Sequence, residues 1–285
     1  MSDTPLDPAP SSATFPAPAR ASNQLVSWPV AMQCARAKIR GGPTLAFTAL
    51  LALSELGAGG KRSPADLFGG VSFFSQLFLL ALTLALGAGL ISEELESGHA
   101  QLVLLRPLSR AAFFGGRLAG AGLALLGAMG LAFLLACGSC LAEGTFSPGL
   151  LLAFPVAFIW AFSWLALLAA MSSVLRGASN AVWLLIGAIL WVATRFGLMG
   201  AGAVALAVHR WEWLESLSHA AGALLPYIGP QDPNPLVEQL LQQGSIFPLL
   251  TADFGPLLYD LVWIAASWTA GAFLLSRREL ARRRA

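Results

Sequence analysis

Residues 144–175 read GTFSPGLLLAFPVAFIWAFSWLALLAAMSSVL, a run of 32 residues without Asp, Glu, Lys or Arg. Residues 67–92 and 118–142 are also free of these charges, and each run reaches the roughly 20 apolar residues that a bilayer-spanning helix needs. Of all 285 residues, 56% are hydrophobic and 11% are charged, whereas soluble domains average about 25% charged residues. The sequence therefore excludes a soluble enzyme, a disordered chain and a disulfide-built secreted domain, and it predicts a polytopic membrane protein.

Three further segments are candidate spans, although each of them contains a charge. Residues 177–208 are interrupted by Arg195, residues 256–276 contain a single acid, and 14 uncharged residues of segment 41–60 precede Glu55. We therefore predict an all-α polytopic fold with six transmembrane helices. The predicted spans cover about residues 41–60, 67–91, 115–141, 149–174, 179–208 and 256–276.

The basic residues orient these spans. Cytoplasmic loops are enriched in Lys and Arg close to the membrane. With six spans and both termini cytoplasmic, 13 of the 17 basic residues lie in inner segments and three lie in outer segments. The inner set includes a basic C-terminal tail at 277–285. The sequence therefore predicts that both termini are cytoplasmic.

The N-terminal 40 residues divide into two parts. Residues 1–24 are rich in Pro, Ala and Ser and lack an apolar run, which predicts a disordered cytoplasmic tail rather than a signal peptide. Residues 25–40 place apolar side chains on one helical stripe with a 3,4,3,4 spacing. The stripe contains Leu25, Trp28, Met32, Ala35 and Ile39. We predict an amphipathic elbow helix in the membrane interface, with its cations toward anionic lipid and Lys38 snorkelling; an ordinary cytoplasmic lead-in is the alternative.

The loop between the second and third predicted spans is the most informative segment. It reads SEELESGHAQLVLLRPLSRAAFFGGR over residues 92–117. Three of the 15 acidic residues lie within four positions of it, on a side where cations are expected; they are Glu93, Glu94 and Glu96. Gly98 permits a tight turn, and Pro107 ends any helix that the following leucines form. The pattern predicts a short helix that lies against the bilayer and presents carboxylates to a cationic partner.

This loop resembles that of the permease subunits of type-2 ATP-binding cassette (ABC) exporters. The matching residues are Ile91, Glu93, Glu94, Glu96, Gly98, Leu104, Leu105, Pro107, Ser109 and Arg110. The layout is similar too, with an elbow helix, six spans and a longer outer segment before the last span, so that the resemblance covers about residues 25–276. Two positions depart from the family pattern: His99 stands where Thr is usual, and Arg117 stands where Lys usually opens the third span.

The resemblance implies a mechanism and a set of partners. The loop 92–110 would be a coupling helix that rests in a cleft of a separate cytoplasmic ATPase subunit, and that subunit would bind ATP and Mg²⁺. A second permease copy, identical or related, would complete a dimer in the bilayer of a bacterial inner membrane, without any role for nucleic acid. The residues implied to couple to the partner are Glu93, Glu94, Glu96, Gly98, Pro107 and Arg110. The alternative is that ion pairs such as Glu94–Arg110 tie the loop to itself.

The sequence predicts no enzymatic site in this chain. An ATPase site needs GxxxxGK[ST], but residues 55–62 read ELGAGGKR, with Glu55 and Arg62 at two essential positions. No HExxH signature is present, and the three histidines are scattered along the chain at His99, His209 and His219. We therefore expect no metal site, no cofactor and no ATP hydrolysis in this chain.

Charges inside the predicted spans support a competing interpretation. Glu55 and Arg195 are costly in hydrocarbon and are therefore functional candidates by default. They would line a translocation path or pair with each other, as in a secondary transporter; alternatively, the fifth span is broken near Arg195 and this side chain snorkels. Asp260 is expected near the interface. A non-transporting membrane scaffold with a degenerate permease fold is a third interpretation.

Two motifs in the third predicted span have ordinary explanations. Cys137 and Cys140 form a CxxC that suits a redox pair or a soft-metal site, but the small residues around them favour simple packing. Gly116 and Gly120 have the GxxxG spacing that allows close helix approach. Because a chain with 29 glycines contains such pairs by chance, this one predicts no particular contact.

Overall fold

The computed structural model describes residues 25–56, 72–100, 108–175 and 254–277, together with the isolated positions Ser179, Val182, Pro230 and Leu236. Within these ranges the chain forms helices and turns and no strand. The helices, in chain order, are α1 (Trp28–Ile39), α2 (Gly42–Leu56), α3 (Ser72–Gly87), α4 (Ser92–Glu96), α5 (Arg110–Glu143), α6 (Gly149–Ser172) and α7 (Gly255–Arg277).

Four helical stretches of the described residues are long and apolar enough to cross a membrane. They are Leu77–Glu96, Arg110–Glu143, Gly149–Ser172 and Gly255–Arg277. The prediction of an all-helical membrane protein is thereby confirmed. The first predicted span corresponds to the shorter helix α2, whose 15 residues rise about 22 Å, against a hydrocarbon core of about 30 Å. Nearly all of the fifth predicted span, 179–208, lies outside the described residues, so the count of six stays a prediction.

Helix α5 is the centre of the packing, because α1, α2, α3, α6 and α7 all contact it. Its 34 residues rise about 51 Å, which exceeds the hydrocarbon thickness by about 20 Å. Between helices in lipid, van der Waals packing replaces the hydrophobic driving force. The fully buried side chains of the core supply that packing, and the largest of them include Phe113, Phe114, Leu82, Leu86, Leu125 and Leu165.

The ends of α5 are fixed by local sequence. Ser109 is the N-cap, and its hydroxyl accepts a hydrogen bond of 3.1 Å from the backbone N–H of Ala112. At the other end, Gly144 adopts a φ of 71°, and the Thr145 N–H donates to the Cys140 carbonyl at 2.9 Å. A left-handed residue followed by this bond is the usual glycine stop signal. The capped start explains why α5 begins at Arg110, five residues before the predicted span.

Helix α1 packs closely against the N-terminal part of α5. The Ser27 N–H donates to the Ala112 carbonyl at 3.1 Å. A Cβ at Gly116 would lie 2.8 Å from the Ser27 carbonyl oxygen, and a Cβ at Gly120 would lie 2.6 Å from the Cβ of Cys34. The pair Gly116 and Gly120, for which no particular contact was predicted, therefore forms the surface of α5 on which α1 packs.

The exposed side of α1 carries most of the predicted apolar stripe. Trp28, Met32 and Ile39 of α1 are exposed, as is Leu25, which precedes the helix, whereas Ala35 is buried. Helix α1 thus turns a row of large apolar side chains away from α5. This row is where the proposed contact with lipid would lie.

Candidate functional site

The candidate site is the short helix α4 with the residues around it, and its apolar side is held by the bundle. The turn that precedes α4 buries Leu90 and Ile91 almost completely. The Ile91 N–H donates to the Ser172 hydroxyl at 3.2 Å, which joins the start of α4 to the end of α6. Leu95 packs on the main core cluster. This side of α4 is therefore fixed in position, and its carboxylates lie on other sides.

Glu94 forms an ion pair with Arg117 of α5. The Glu94 side chain is 24% exposed and the Arg117 side chain 10% exposed, so water screens this pair only weakly. A cation so far from water is costly unless a counter-ion compensates it. The structure thus gives Glu94 a partner within the chain, and this partner is Arg117 and not Arg110, the alternative that the sequence suggested.

Glu93 and Lys38 make a looser contact. Their nearest charged atoms are 3.9 Å apart, and the Glu93 side chain is 68% exposed. Exposed ion pairs of this kind typically contribute about 0–1 kcal/mol. The Lys38 side chain is only 19% exposed, as expected for a lysine that buries its stem and extends its ammonium group. Glu93 therefore remains available to other cations.

Beyond Glu93, α4 presents an exposed polar edge. We define this edge by its four exposed residues, Glu93, Glu96, Ser97 and His99. The Ser97 hydroxyl and the His99 Nδ1 are 3.2 Å apart. Gly98, between them, has a φ of 77°, a backbone conformation that L side chains rarely adopt. The glycine therefore allows the sharp turn that ends the edge.

Arg110 has a different environment from the carboxylates. Its Nη1 donates to the carbonyl oxygens of Leu275 and Ser276, at 3.2 and 2.7 Å. These are carbonyls of the last turn of α7, where a cation is favoured by unpaired acceptors and by the helix dipole. Arg110 therefore joins the start of α5 to the end of α7.

Several predicted residues lie outside the described part of the chain. Pro107 and Arg195 do so entirely, while Glu55 falls in the last turn of α2 with its side chain outside the description. The roles assigned to these three residues therefore stay predictions.

The cysteines show no disulfide within the described ranges. Cys137 is half-buried and Cys140 is buried, both lie on α5, and neither forms a disulfide with another described residue. No group of three or more His, Cys, Asp or Glu residues suited to a metal ion occurs among the described residues. In α1, burial raises the pKa of the Cys34 thiol against the opposing effect of the Arg117 and Lys38 cations.

Two residues have a greater structural role than the sequence predicted. In the sequence Arg117 is a departure from the family pattern, although an arginine two turns inside an apolar helix by itself indicates a functional charge. Asp260, expected near the interface, is 2% exposed within α7. In both cases the burial depends on neighbouring helices and is not visible in the local sequence.

The comparison with known families agrees with this architecture. A family model described as ABC-2 family transporter protein matches residues 43–280, which begin within α2 and extend past the end of α7. No curated protein matches the sequence. Because the family model covers well over half of the chain, the resemblance seen in the sequence is confirmed, and this protein belongs to the ABC-2 family of membrane transporter proteins.

Proposed function

We propose that this chain is the permease subunit of an ABC exporter that is driven by a separate cytoplasmic ATPase subunit. The ATPase subunit binds ATP and Mg²⁺ and hydrolyses the nucleotide, while this chain forms the translocation path together with a second permease copy. Both termini are cytoplasmic in this proposal, and the chain itself is not an enzyme. The first cytoplasmic loop, 92–110, is the contact between the two kinds of subunit.

One observation carries the proposal: α4 combines a fixed apolar side with an exposed polar edge. The Ile91–Ser172 hydrogen bond and the Glu94–Arg117 ion pair attach α4 to α6 and α5. The polar edge, with Glu93 and Glu96, is exposed and takes no part in these two attachments. A partner that moves the edge therefore moves the ends of two long helices.

The chemistry of the edge specifies the partner surface. Two exposed carboxylates favour a cleft that supplies Arg or Lys side chains, because complementary charge increases the association rate and excludes wrong partners. Ser97 and His99 add hydrogen-bonding groups at the rim. Membrane phospholipid is the poorer match, since anionic headgroups would repel Glu93 and Glu96.

The test is co-purification in mild detergent with the ABC ATPase subunit. We expect the double variant Glu93→Gln/Glu96→Gln to bind the ATPase about tenfold more weakly or worse, because coupling energies of about 1.5 kcal/mol or more have been measured for close charge pairs across an interface. Glu143→Gln is the matched control, since Glu143 is an exposed acid at the opposite end of α5.

The outcomes separate the alternatives. Unchanged ATPase recovery in the double variant would contradict the role given to the polar edge. Failure of the wild-type chain to recover any ATPase would contradict the proposal as a whole. Transport driven by an ion gradient without ATP would instead support the secondary transporter based on Glu55 and Arg195.

A further inference from the structure

We infer that Arg117 is a positioning residue that transmits movement of α4 into α5, through its ion pair with Glu94. The inference rests on the proposed function, since the movement originates in the ATPase subunit. Glu94 then acts inside the permease by contacting Arg117, and the exposed polar edge contacts the ATPase.

Among the described residues, Arg117 depends on Glu94 to compensate its charge. The Arg117 side chain is 10% exposed, and its buried Nε has no hydrogen-bond partner in the described part of the chain. Its Nη2 contacts the Glu94 carboxylate, the only ion pair that the described residues give this cation. A buried charge with one counter-ion follows that counter-ion, because separation leaves both charges uncompensated.

Polar contacts join α4 to three other helices. The contact with α1, between Glu93 and Lys38, is 3.9 Å long and largely exposed. The contact with α6 is a hydrogen bond between uncharged groups of Ile91 and Ser172. The Glu94–Arg117 pair is the one attachment of these three in which two charges compensate each other with little access of water, and it leads to α5.

Helix α5 is continuous from Arg117 to its far end. The helix runs from Arg110 to Glu143 without a proline. Arg117 lies at the end of its second turn, and Cys137 lies about five and a half turns further on, toward the other end. Because α5 contacts every other long helix of the described bundle, a displacement at Arg117 reaches the packing of the whole domain.

The experiment uses the permease–ATPase complex and a native reporter. Cys137 is a half-buried free thiol near the far end of α5, whereas Cys34 and Cys140 are buried. Mass spectrometry measures the rate at which maleimide labels Cys137, with and without ATP, Mg²⁺ and vanadate. We expect nucleotide trapping to change the wild-type labelling rate about fivefold or more, which is the range of ordinary allosteric couplings.

The variants identify the residue that transmits the change. In Arg117→Gln and Glu94→Gln we expect trapped nucleotide but no change in labelling of Cys137. In Arg117→Lys, which keeps the cation, we expect the change to return at least in part. Lys38→Gln is the matched control, because it removes a cation of the neighbouring looser pair, and it should preserve the nucleotide-dependent change.

The results distinguish three situations. If Arg117 has a purely structural role, Arg117→Gln lowers the yield of the complex, but in the complex that forms, trapped nucleotide still changes the labelling rate of Cys137. This result would overturn the inference. Loss of the change in Lys38→Gln as well would also overturn it, since the effect would not be specific to the buried pair. If no ATPase binds the wild-type chain, the proposed function fails and not merely this inference.

Discussion

The close packing of α1 on Gly116 and Gly120 of α5 gives the sharpest prediction about the fold. Gly120→Ala places a Cβ 2.6 Å from the Cβ of Cys34 and within contact range of the Ala31 backbone carbonyl. Carbon atoms normally approach to about 3.5–4.0 Å, so α1 must shift by roughly 1 Å. Overpacking of this kind typically costs about 1–3 kcal/mol. The docking of α1 should be weakened by this amount.

Cys34 is the natural reporter of that docking. Cys34 belongs to α1, and its side chain is buried between α1 and α5, with 1% exposure of the residue, so a maleimide reaches it only when α1 separates from α5. If opening is fast relative to labelling, the labelling rate follows the opening equilibrium. A cost of about 1–3 kcal/mol corresponds to labelling about 5- to 150-fold faster. The background for the assay carries Cys137→Ala and Cys140→Ala.

The matched control lies two turns further along the same helix. A Cβ at Gly127 meets no atom within 4 Å, so Gly127→Ala should leave the labelling of Cys34 unchanged. Alanine should even stabilise α5 slightly, by up to about 1 kcal/mol on helix propensity. Equal labelling rates for Gly120→Ala, Gly127→Ala and the parent would refute the reasoning that α1 is seated on the glycine pair.

Glu94, Gly98 and Cys34 give three further predictions. Glu94→Gln leaves the Arg117 cation without its counter-ion and should lower the stability of the detergent-solubilised protein by about 3 kcal/mol. Glu93→Gln should lower it by under about 1 kcal/mol, because the Glu93–Lys38 pair is exposed. Equal shifts of melting temperature in the two variants would contradict the role given to burial. Gly98→Ala meets no neighbouring atom but forces a left-handed alanine, at about 1–2 kcal/mol, and a thermal melt that matched the parent would exclude this strain. Burial raises the pKa of the Cys34 thiol. The stability that the buried neutral thiol contributes is therefore complete below the ordinary thiol pKa of about 8.5 and is lost as the pH rises above it. Cys34→Ala should flatten the decline of melting temperature with rising pH, and an unchanged slope would contradict this prediction.

The sequence predicted the long helices well, for a physical reason. A charge-free run of bilayer length has few alternatives to a helix, because lipid offers no partners for unpaired backbone groups. Helix α6 accordingly spans Gly149–Ser172, within two residues of the prediction. The start of α5 was predicted less well, because its first turns carry Arg110 and Arg117 and are recognisable only by the Ser109 cap.

The contacts between helices were less predictable. The GxxxG spacing states that a close approach is possible, but not which helix approaches, and here the partner is α1. The acidic cluster indicated a cationic partner without revealing that one carboxylate would be satisfied by Arg117 of the same chain. Both facts depend on how distant segments pack, and a single sequence contains no direct record of that packing.

The contact between the polar edge of α4 and an ATPase subunit is the central claim, and site-specific photo-crosslinking tests it most directly. A photoreactive residue in place of Glu96 should yield an adduct with the ABC ATPase subunit in intact membranes, whereas the same residue in place of Glu143, at the opposite end of α5, should not. Absence of an ATPase adduct at Glu96, or an equal yield at both positions, would contradict the claim.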